Sequence, residues 1–370
     1  MMGPVHESDT LVIGGGVVGM SIGYGLARAG ERVQVLDGDD DAIRSARGNF
    51  GLVRVQGKGM GNPDYARWSI AATQQWPTFA QELQELTEVD VELSQVGGFT
   101  FCLDDAELAS CARNLETIRQ EVGGTYPCEI LNLKQIRELS PFVGPEVVGA
   151  AFCSIDGHAN PLRLLHALVQ GFKNKGGSLL SGVHVDHIDY RAGEFRVRTG
   201  DSDYVAGKLV LAAGLGNRHL APKVGLEAPV QPNRGQILVT ERLQPFLRHP
   251  SLTVRQTGEG VVQIGVSHED VGLDEGTTIT QLSEIADRAV RYFPLLKDVN
   301  VVRTWGALRV MSPDGFPIYQ SSSTCPGAFV ASCHSGITLA AQHAGVIADW
   351  IRGGTKPPLI NSFNAERFHV

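Results

Sequence analysis

The sequence predicts an α/β protein in which one domain is assembled from three separated segments and a second domain is inserted between them. A glycine-rich turn follows an apolar strand near the N-terminus, and strands of the same type return near residue 207 and after residue 304. The segments between them alternate in hydrophobicity, as antiparallel strands do. We expect the first domain to span 1–87, 145–222 and 305–370, and the α+β second domain 88–144 and 223–304.

Composition restricts the possible functions. The chain has 370 residues, of which 42% are hydrophobic and 19% charged, typical of a globular protein with two domains. A formal net charge of −8 disfavours a nucleic-acid surface, which needs clustered Lys and Arg. The six cysteines contain no C-x-x-C pair, so we expect reduced thiols and no metal site. The first residues lack the pattern of a secretory signal, and we expect a cytoplasmic protein without a transmembrane segment.

The N-terminal unit reads strand, turn, helix, strand. Residues 10–13 form the strand, GGGVVG makes the turn, the helix stops at Gly30, and the next strand ends on Asp37. Asp37 follows Gly16 by 21 residues, the spacing of a Rossmann-like dinucleotide site. In such a site the helix N-terminus holds a pyrophosphate and the acid holds a ribose. The uncharged run 11–27 also permits a membrane helix, but glycines clustered at its start disfavour that alternative.

Later segments complete the two domains. The strand 207–217 ends in the small residues Ala212, Ala213 and Gly214, which allow a close approach to a bulky ligand. We expect Val185 in an alternating strand, a strand over 327–336, and a helix after Gly336 whose N-terminus carries a positive dipole. In the second domain we expect strands within 88–104 and 228–268, a hairpin tip at 257–260, and helix over 105–140.

The glycine turn alone leaves the cofactor open between a nicotinamide and a flavin dinucleotide. After the second strand a nicotinamide enzyme continues in regular βαβ units. Here residues 44–54, RSARGNFGLVR, form an irregular loop instead. Such a loop could follow an extended dinucleotide to its reactive ring.

The whole chain resembles the FAD-dependent D-amino acid oxidase-like superfamily, which includes glycine oxidase and sarcosine oxidase. The similarity rests on VIGGGVVG, VLD, SARGNFG, DGHANPLRL, LAAG, RGQ, WGALRVMSPDGFPI and CHSGITLA. Within the superfamily, GNFGLVRVQGKG and WGALRVMSPDGFPI resemble the β-type subunits of opine oxidases and D-hydroxyproline dehydrogenase, and the hydrogen cyanide synthase flavoprotein.

The resemblance implies that FAD lies along residues from all three segments of the first domain. Gly14, Gly16 and Gly19 would hold the pyrophosphate and Asp37, where relatives more often have Glu, the ribose. The backbone of Val185 would hold the adenine. The remaining expected FAD contacts are Val18, Ser45, Asn49, Gly51, Leu52, Ala212, Gly214, Ser335, Gly336, Ile337, Thr338 and Leu339. Some relatives attach the flavin to a cysteine after the arginine strand, where this chain has Met311, so we expect non-covalent FAD.

For the substrate, the resemblance implies that Arg309 binds a carboxylate and that His268 lies nearby. A planar, permanently charged guanidinium suits a carboxylate. His334 stands where relatives often have Arg, so a second carboxylate contact does not transfer. His158 is expected to be a turn residue, and Arg47 and Arg54 flank the flavin loop without an assigned role.

These implications lead to a set of functional hypotheses. The leading one is an FAD-dependent dehydrogenase or oxidase that removes hydride from the carbon beside the nitrogen of a small secondary or cyclic amino acid, such as D-hydroxyproline, an opine or sarcosine, and leaves an imine. Alternatives are a glycine or D-amino acid oxidase using O2, a nicotinamide dehydrogenase, and a flavoprotein subunit active only with electron-accepting companion subunits. Such partners could make the protein a homo- or hetero-oligomer, held peripherally at the inner membrane.

Overall fold

The computed structural model describes residues 4–38, 45–200 and 202–369. The chain begins with a strand, a helix and a second strand, as the sequence predicts for the N-terminal unit. The β-strands are β1 Val5–Ile13, β2 Val33–Asp37, β3 Leu52–Val53, β4 Gly98–Cys102, β5 Cys128–Asn132, β6 Gly149–Cys153, β7 Gly157–His158, β8 Ser178–Ser181, β9 His187–Arg191, β10 Glu194–Arg198, β11 Asp203–Leu211, β12 Gln231–Arg242, β13 Val254–Gln256, β14 Val261–Gly265, β15 Val301–Met311, β16 Ile318–Ser321 and β17 Ala328–Ser332.

Helices from the first, middle and last parts of the chain pack together on one face of the main sheet, and others pack against the antiparallel sheets. The final helix of the chain is continuous through a π-helical turn over His343–Ile347, and its two α-helical parts are labelled α8 and α9. The α-helices are α1 Val17–Arg28, α2 Pro63–Thr87, α3 Asp105–Glu121, α4 Leu133–Leu139, α5 Pro161–Asn174, α6 Asn217–Leu220, α7 Ile279–Tyr292, α8 Ala340–Gln342 and α9 Ala348–Ile351.

The main sheet has the strand order β16-β17-β11-β1-β2-β8, and a β9–β10 hairpin extends it beside β11. Its central pairings β17–β11, β11–β1, β1–β2 and β2–β8 are parallel. Consecutive residues of β1 face opposite cores: Val12 packs with the side of α1, α2 and α5, and Leu11 with the side of β10 and Leu226. Parallel strands buried on both faces need such continuous apolar runs. The predicted α/β fold is confirmed.

The remaining strands form antiparallel sheets. One has the order β13-β14-β12-β15, another β4-β6-β5, and β3 pairs with β7. Phe99, Phe101 and Val254 from these sheets share a core with α7. The predicted hairpin tip at 257–260 is confirmed, because the amide of Thr257 donates to the carbonyl of Val261.

Several local predictions differ from the structure. Residues 105–140 include the strand β5, whose register opposite β6 comes from a partner distant in sequence. Val185 lies between β8 and β9 and not within a strand. Strand β6 pairs with β4 and β5, and β15 runs across residue 305, so two expected domain boundaries do not follow sheet pairing. The boundaries themselves stay predictions.

The uncharged run 11–27 is split between β1 and α1. No helix in the described part of the chain has the length and apolarity needed to cross a membrane.

Candidate active site

The glycines of the turn between β1 and α1 have different surroundings. Two of them are in close contact with the backbone, and a third has space beside it. Gly14 has φ +113°, and a Cβ there would lie 2.3 Å from the carbonyl oxygen of Ala212. A Cβ on Gly19 would lie 1.9 Å from the carbonyl oxygen of Gly14. At Gly16 the nearest atom to an added Cβ is the methyl group of Ala46, 4.0 Å away. Packing therefore requires Gly14 and Gly19, and Gly16 leaves room for a ligand.

The N-terminus of α1 can bind an anion beside this space. No side chain caps it, and the first N–H groups of a helix have no acceptor within the helix. The buried Asp37 ends β2, with its carboxylate 2.9 Å from where a Cβ on Gly15 would lie. The carbonyl of Asp37 accepts from the amide of Val183, which brings the segment containing Val185 to the end of β2.

This arrangement fits the adenosine and pyrophosphate half of FAD. The uncapped helix would supply amide donors for the phosphates, Asp37 would supply an acceptor for ribose hydroxyls, and Gly16 leaves the approach open. Ala212 continues the same edge of the sheet, because its amide donates to the carbonyl of Ile13 over 2.8 Å. Gly214 follows with φ +58° beside Val310.

The loop expected to line the flavin is fixed by its own hydrogen bonds. The hydroxyl of Ser45 donates to the carbonyl of Leu308. The amide of Gly51 donates to Oδ1 of Asn49 over 2.7 Å. Gly51 has φ +90°, and a Cβ there would lie 2.4 Å from the carbonyl oxygen of Ala159. Leu52 then pairs with β7, so the loop is attached to the body of the protein.

The turn before α8 closes against this loop. The hydroxyl of Thr338 donates to the carbonyl of Leu52 and accepts from the amide of Arg54, both over 3.2 Å. The indole of Trp76 donates to the carbonyl of Thr338 over 3.0 Å. A Cβ on Gly336 would lie 3.4 Å from Val18, so the turn also contacts the start of α1.

Two further contacts fix the ends of this turn. The amide of Leu339 donates to the carbonyl of Ser335, whose hydroxyl lies 2.8 Å from the hydroxyl of Tyr65. Ile337 is buried between them. The structure therefore brings together the expected flavin-binding residues of the first and last segments.

These segments enclose a cleft of about 220 Å³, which we call the central cleft. Arg309 and His268 line it together with Ser45, Asn49, Leu52 and the turn residues Ser335, Ile337 and Thr338. The residues expected to bind substrate and those expected to line the flavin therefore face one space. Its lining is drawn from segments 45–58, 235–237, 266–268, 307–310 and 334–338, with Leu252.

Arg309 is positioned by neighbouring backbone and amide groups. Its Nη1 donates to Oδ1 of Asn233 over 2.9 Å and its Nη2 to the carbonyl of Ser267 over 2.9 Å. A Cβ on Gly235 would lie 2.3 Å from Nη2, so only glycine permits this position. Burial lowers the pKa of Arg309 to about 10, and Glu269 opposes that effect. The guanidinium stays charged at neutral pH, in the cleft and available to a carboxylate.

The histidines of the central cleft have pKa values below the ordinary value of a histidine. Burial lowers the pKa of His334 to about 3, with further lowering by Lys58 and Arg309. Burial and Arg309 also lower the pKa of His268. Both imidazoles are therefore neutral at pH 7 and add no charge to the cleft.

The structure shows the positions of three residues to which the sequence assigned no functional role. His158 is not a turn residue: it is buried in β7, and its Nδ1 lies 3.0 Å from Nη1 of Arg255, behind the flavin loop. Arg54 lines the central cleft, and its Nη2 donates to the hydroxyl of Thr100 over 2.7 Å. Arg47 is half-buried in the flavin loop.

Sequence reasoning missed Lys58 and Asn217. Lys58 lines the central cleft, and the glycines on either side, with φ +74° and +97°, let the chain turn it inward. That pair of glycines was the available signal. The buried Nδ2 of Asn217 donates to the carbonyl of Leu211 and to the hydroxyl of Ser332, so it joins the ends of β11 and β17.

The cysteines provide no metal centre in the described residues. All six are free, and no group of three or more His, Cys, Asp or Glu is arranged to hold a metal ion in the ranges that the structure covers.

Known proteins with similar sequences or folds include an opine oxidase subunit, a glycine oxidase and an L-proline dehydrogenase. An opine oxidase subunit from Agrobacterium tumefaciens is 43% identical over 367 residues, which cover 99% of both chains. Among solved structures, glycine oxidase from Geobacillus kaustophilus has a TM-score of 0.89 at 22% identity, covering 97% of this chain and 98% of that one. L-proline dehydrogenase from P. horikoshii has a TM-score of 0.86 at 23% identity, covering 99% and 98%.

The chain also matches a protein family over most of its length. Residues 9–350 match the family described as FAD dependent oxidoreductase, abbreviated DAO. The match includes the glycine turn, the flavin loop, the strand that carries Arg309 and the turn before α8. The chain belongs to the DAO family of FAD-dependent oxidoreductases.

Proposed function

We propose that this protein oxidises the carbon–nitrogen bond of a small secondary or cyclic amino acid, such as D-hydroxyproline, an opine or sarcosine. The observation that carries the proposal is the position of Arg309, a largely buried guanidinium that lines the same cleft as the expected flavin-binding loop. A fixed guanidinium fork is the best side chain for holding a carboxylate in one orientation.

The residues of the chain would act mainly by positioning. Arg309 would bind the substrate carboxylate and direct the carbon beside the nitrogen toward the flavin loop. The apolar side chains Leu52, Ile237 and Ile337 would limit water around that carbon. FAD, held non-covalently by the residues described above, would accept the hydride. The imine that leaves the cleft would be hydrolysed by water.

The test is a substrate panel on the purified protein. It contains D- and L-proline, D-hydroxyproline, sarcosine, glycine and opines, each assayed with O2 and with a redox dye. We expect flavin absorbance bands, reduction of the dye by at least one secondary or cyclic amino acid, and no reaction with pyrrolidine, which lacks the carboxylate. A flavin-loaded protein inactive with every amino acid and both acceptors would contradict the proposal.

A second candidate function is a flavoprotein subunit that passes its electrons to companion subunits. The observation in its favour is the similarity over nearly the whole chain to a protein named as a subunit of an opine oxidase. The dye assay separates the two candidates. Turnover by this chain alone supports an independent catalytic unit, and turnover only after adding co-purified companions supports the second candidate.

A further inference from the structure

The function proposed above gives the amine of Lys58 no role, although Lys58 lines the central cleft. Its Nζ is buried, and it has no hydrogen-bond partner in the part of the chain that the structure describes. It lines the same cleft as Arg309. A buried ammonium without a partner is unfavourable, so a group that enters the cleft should complete its contacts.

The groups around Lys58 do not hold it in the charged form. Asp156 attracts the ammonium, but its carboxylate already accepts from the amide of Val55 over 2.6 Å and from Nε2 of Gln56 over 3.0 Å. Arg54 repels the ammonium. Burial is the largest effect, and it lowers the pKa of Lys58 to about 7.

Two other groups complete these surroundings. The Nζ atom lies 5.8 Å from the ring centre of Tyr65. Cys333 is close enough to interact electrostatically, but burial raises the pKa of its own thiol to about 12, so it is neutral at pH 7. Neither group supplies a negative charge for the lysine.

The lining of the central cleft leaves few groups that could take a proton from a substrate. It contains no Asp or Glu among the described residues. The guanidinium groups of Arg54 and Arg309 are hydrogen-bond donors only and offer no acceptor for a proton. The His334 pKa of about 3 makes that imidazole too weak a base, and the pKa of His268 is lowered too. With a pKa of about 7, Lys58 is therefore the strongest base of this lining that is still partly neutral at pH 7.

We propose that Lys58 is a catalytic residue that accepts the proton of the substrate ammonium in the central cleft, an inference that rests on the proposed function. One N–H bond of the substrate ammonium breaks, the proton bonds to Nζ, and the electron pair stays on the substrate nitrogen. The resulting neutral amine can form the C=N bond as hydride leaves its carbon for FAD, which is reduced. The Lys58 ammonium then returns its proton to solvent.

The first experiment measures the pH profile of kcat/KM for the holoenzyme and its variants. In the wild type we expect a rise with pH near 7, because the neutral form of Lys58 is needed. Lys58→Met should lower kcat/KM at pH 7 by about 100-fold, the contribution of a typical general base. The rising limb of the pH profile of Lys58→Met should move to the alkaline pKa of the substrate ammonium. Lys58→Arg should behave like Lys58→Met, and an active Lys58→Arg enzyme with an unchanged limb would overturn the proposal.

The controls separate catalysis from folding. Lys356→Met changes a partly buried lysine that lies over Trp350, outside the cleft, and should leave the profile unchanged. FAD content and Tm of each variant establish that it folds. If Lys58→Met does not fold, Lys58→Ala assayed with added ethylamine replaces it: restored turnover supports the proposal, and no restoration contradicts it.

A second experiment needs no turnover. Calorimetry of 2-aminoisobutyrate, which has no hydrogen on its α-carbon, is run at pH 6 in two buffers of different ionisation enthalpy. At this pH Lys58 and the ligand amine are both mostly protonated before binding, and the complex of the proposed step keeps one proton between the two nitrogens. The wild type should therefore release about one proton on binding, and Lys58→Met, which binds the ligand ammonium as it is, should release none. Equal proton release by the two proteins overturns the role of Lys58. No binding to the wild type would count instead against the carboxylate site, and so against the proposed function itself.

Discussion

At the residue scale, Arg309 is held in one position before any substrate arrives. Asn233 and Ser267 accept hydrogen bonds from its N–H groups, and Gly235 leaves the space that the guanidinium occupies.

Removing one member of a buried charge pair costs about 2–5 kcal/mol. Arg309→Ala should therefore raise KM by about 30-fold or more while FAD remains bound, measured by steady-state kinetics and flavin absorbance. Arg303→Ala, an exposed position of the same strand, should leave KM unchanged; an unchanged KM in Arg309→Ala would remove it from the site.

Glu269 contacts Arg309 indirectly, through Arg234. It accepts from Nη2 of the buried Arg234 over 2.7 Å, and Arg234 offers its backbone carbonyl to Arg309. Arg234 lowers the pKa of Glu269 to about 2, with help from Ser267 and Gln236. Its charged form therefore stabilises the fold above its ordinary pKa near 4.5, and that contribution is lost as the pH falls toward 2.

A stability profile tests this pH dependence. Glu269→Gln should lower Tm at pH 7, and the gap to the wild type should close between pH 4.5 and 2, followed by circular dichroism. The exposed neighbour Asp270, whose carboxylate accepts from the side-chain amide of Asn233, provides the control. Asp270→Asn should change Tm little at any pH. A gap for Glu269→Gln that persists at pH 2 would show that the ion pair is not its cause.

At the element scale, the turn between β1 and α1 contains one glycine that packing requires, Gly14, and one that the cofactor is expected to require, Gly16. Gly16→Ala places a methyl group in open space at φ −74°, a conformation that alanine adopts, so the apoprotein should keep its Tm. The same methyl group should lower FAD affinity by at least about tenfold if the pyrophosphate lies there. Gly14→Ala meets the carbonyl of Ala212 at φ +113° and should lower the Tm of the apoprotein itself. Titration of each apoprotein with FAD measures both effects, and normal FAD affinity in Gly16→Ala would contradict this position of the cofactor.

Elements that local spacing determines could be predicted from the sequence, and those set by distant partners could not. The β1–α1–β2 unit and the approach of Asp37 follow from glycines and an acid within one short segment. Strand β5 was missed because its hydrogen bonds come from β6, and three of its five residues are exposed, which hides an apolar pattern. Lys58 was missed for a similar reason: its burial depends on Tyr65 in α2 and on the turn near residue 334.

At the scale of the whole molecule, the expected cofactor site joins segments that are far apart in the chain. Gly336 of the last segment approaches Val18 of the first, and Asn217 of the middle segment bonds Ser332. A ligand that contacts all three segments should stabilise the molecule as one unit, because it binds the folded state alone. The cofactor is therefore expected to contribute to folding stability as well as to catalysis.

Removal and return of the cofactor test that expectation together with non-covalent attachment. Acid precipitation should release all flavin into the supernatant, since Met311 stands where some relatives carry a cysteine. The apoprotein prepared under mild conditions should melt several degrees lower, and FAD at about 100 times its Kd should restore about 2.7 kcal/mol. FMN provides the control: it lacks the adenosine that Asp37 and Val185 would hold, so at equal concentration it should restore much less. Flavin retained in the acid pellet, or equal stabilisation by FMN, would contradict the extended site that these three segments are expected to form.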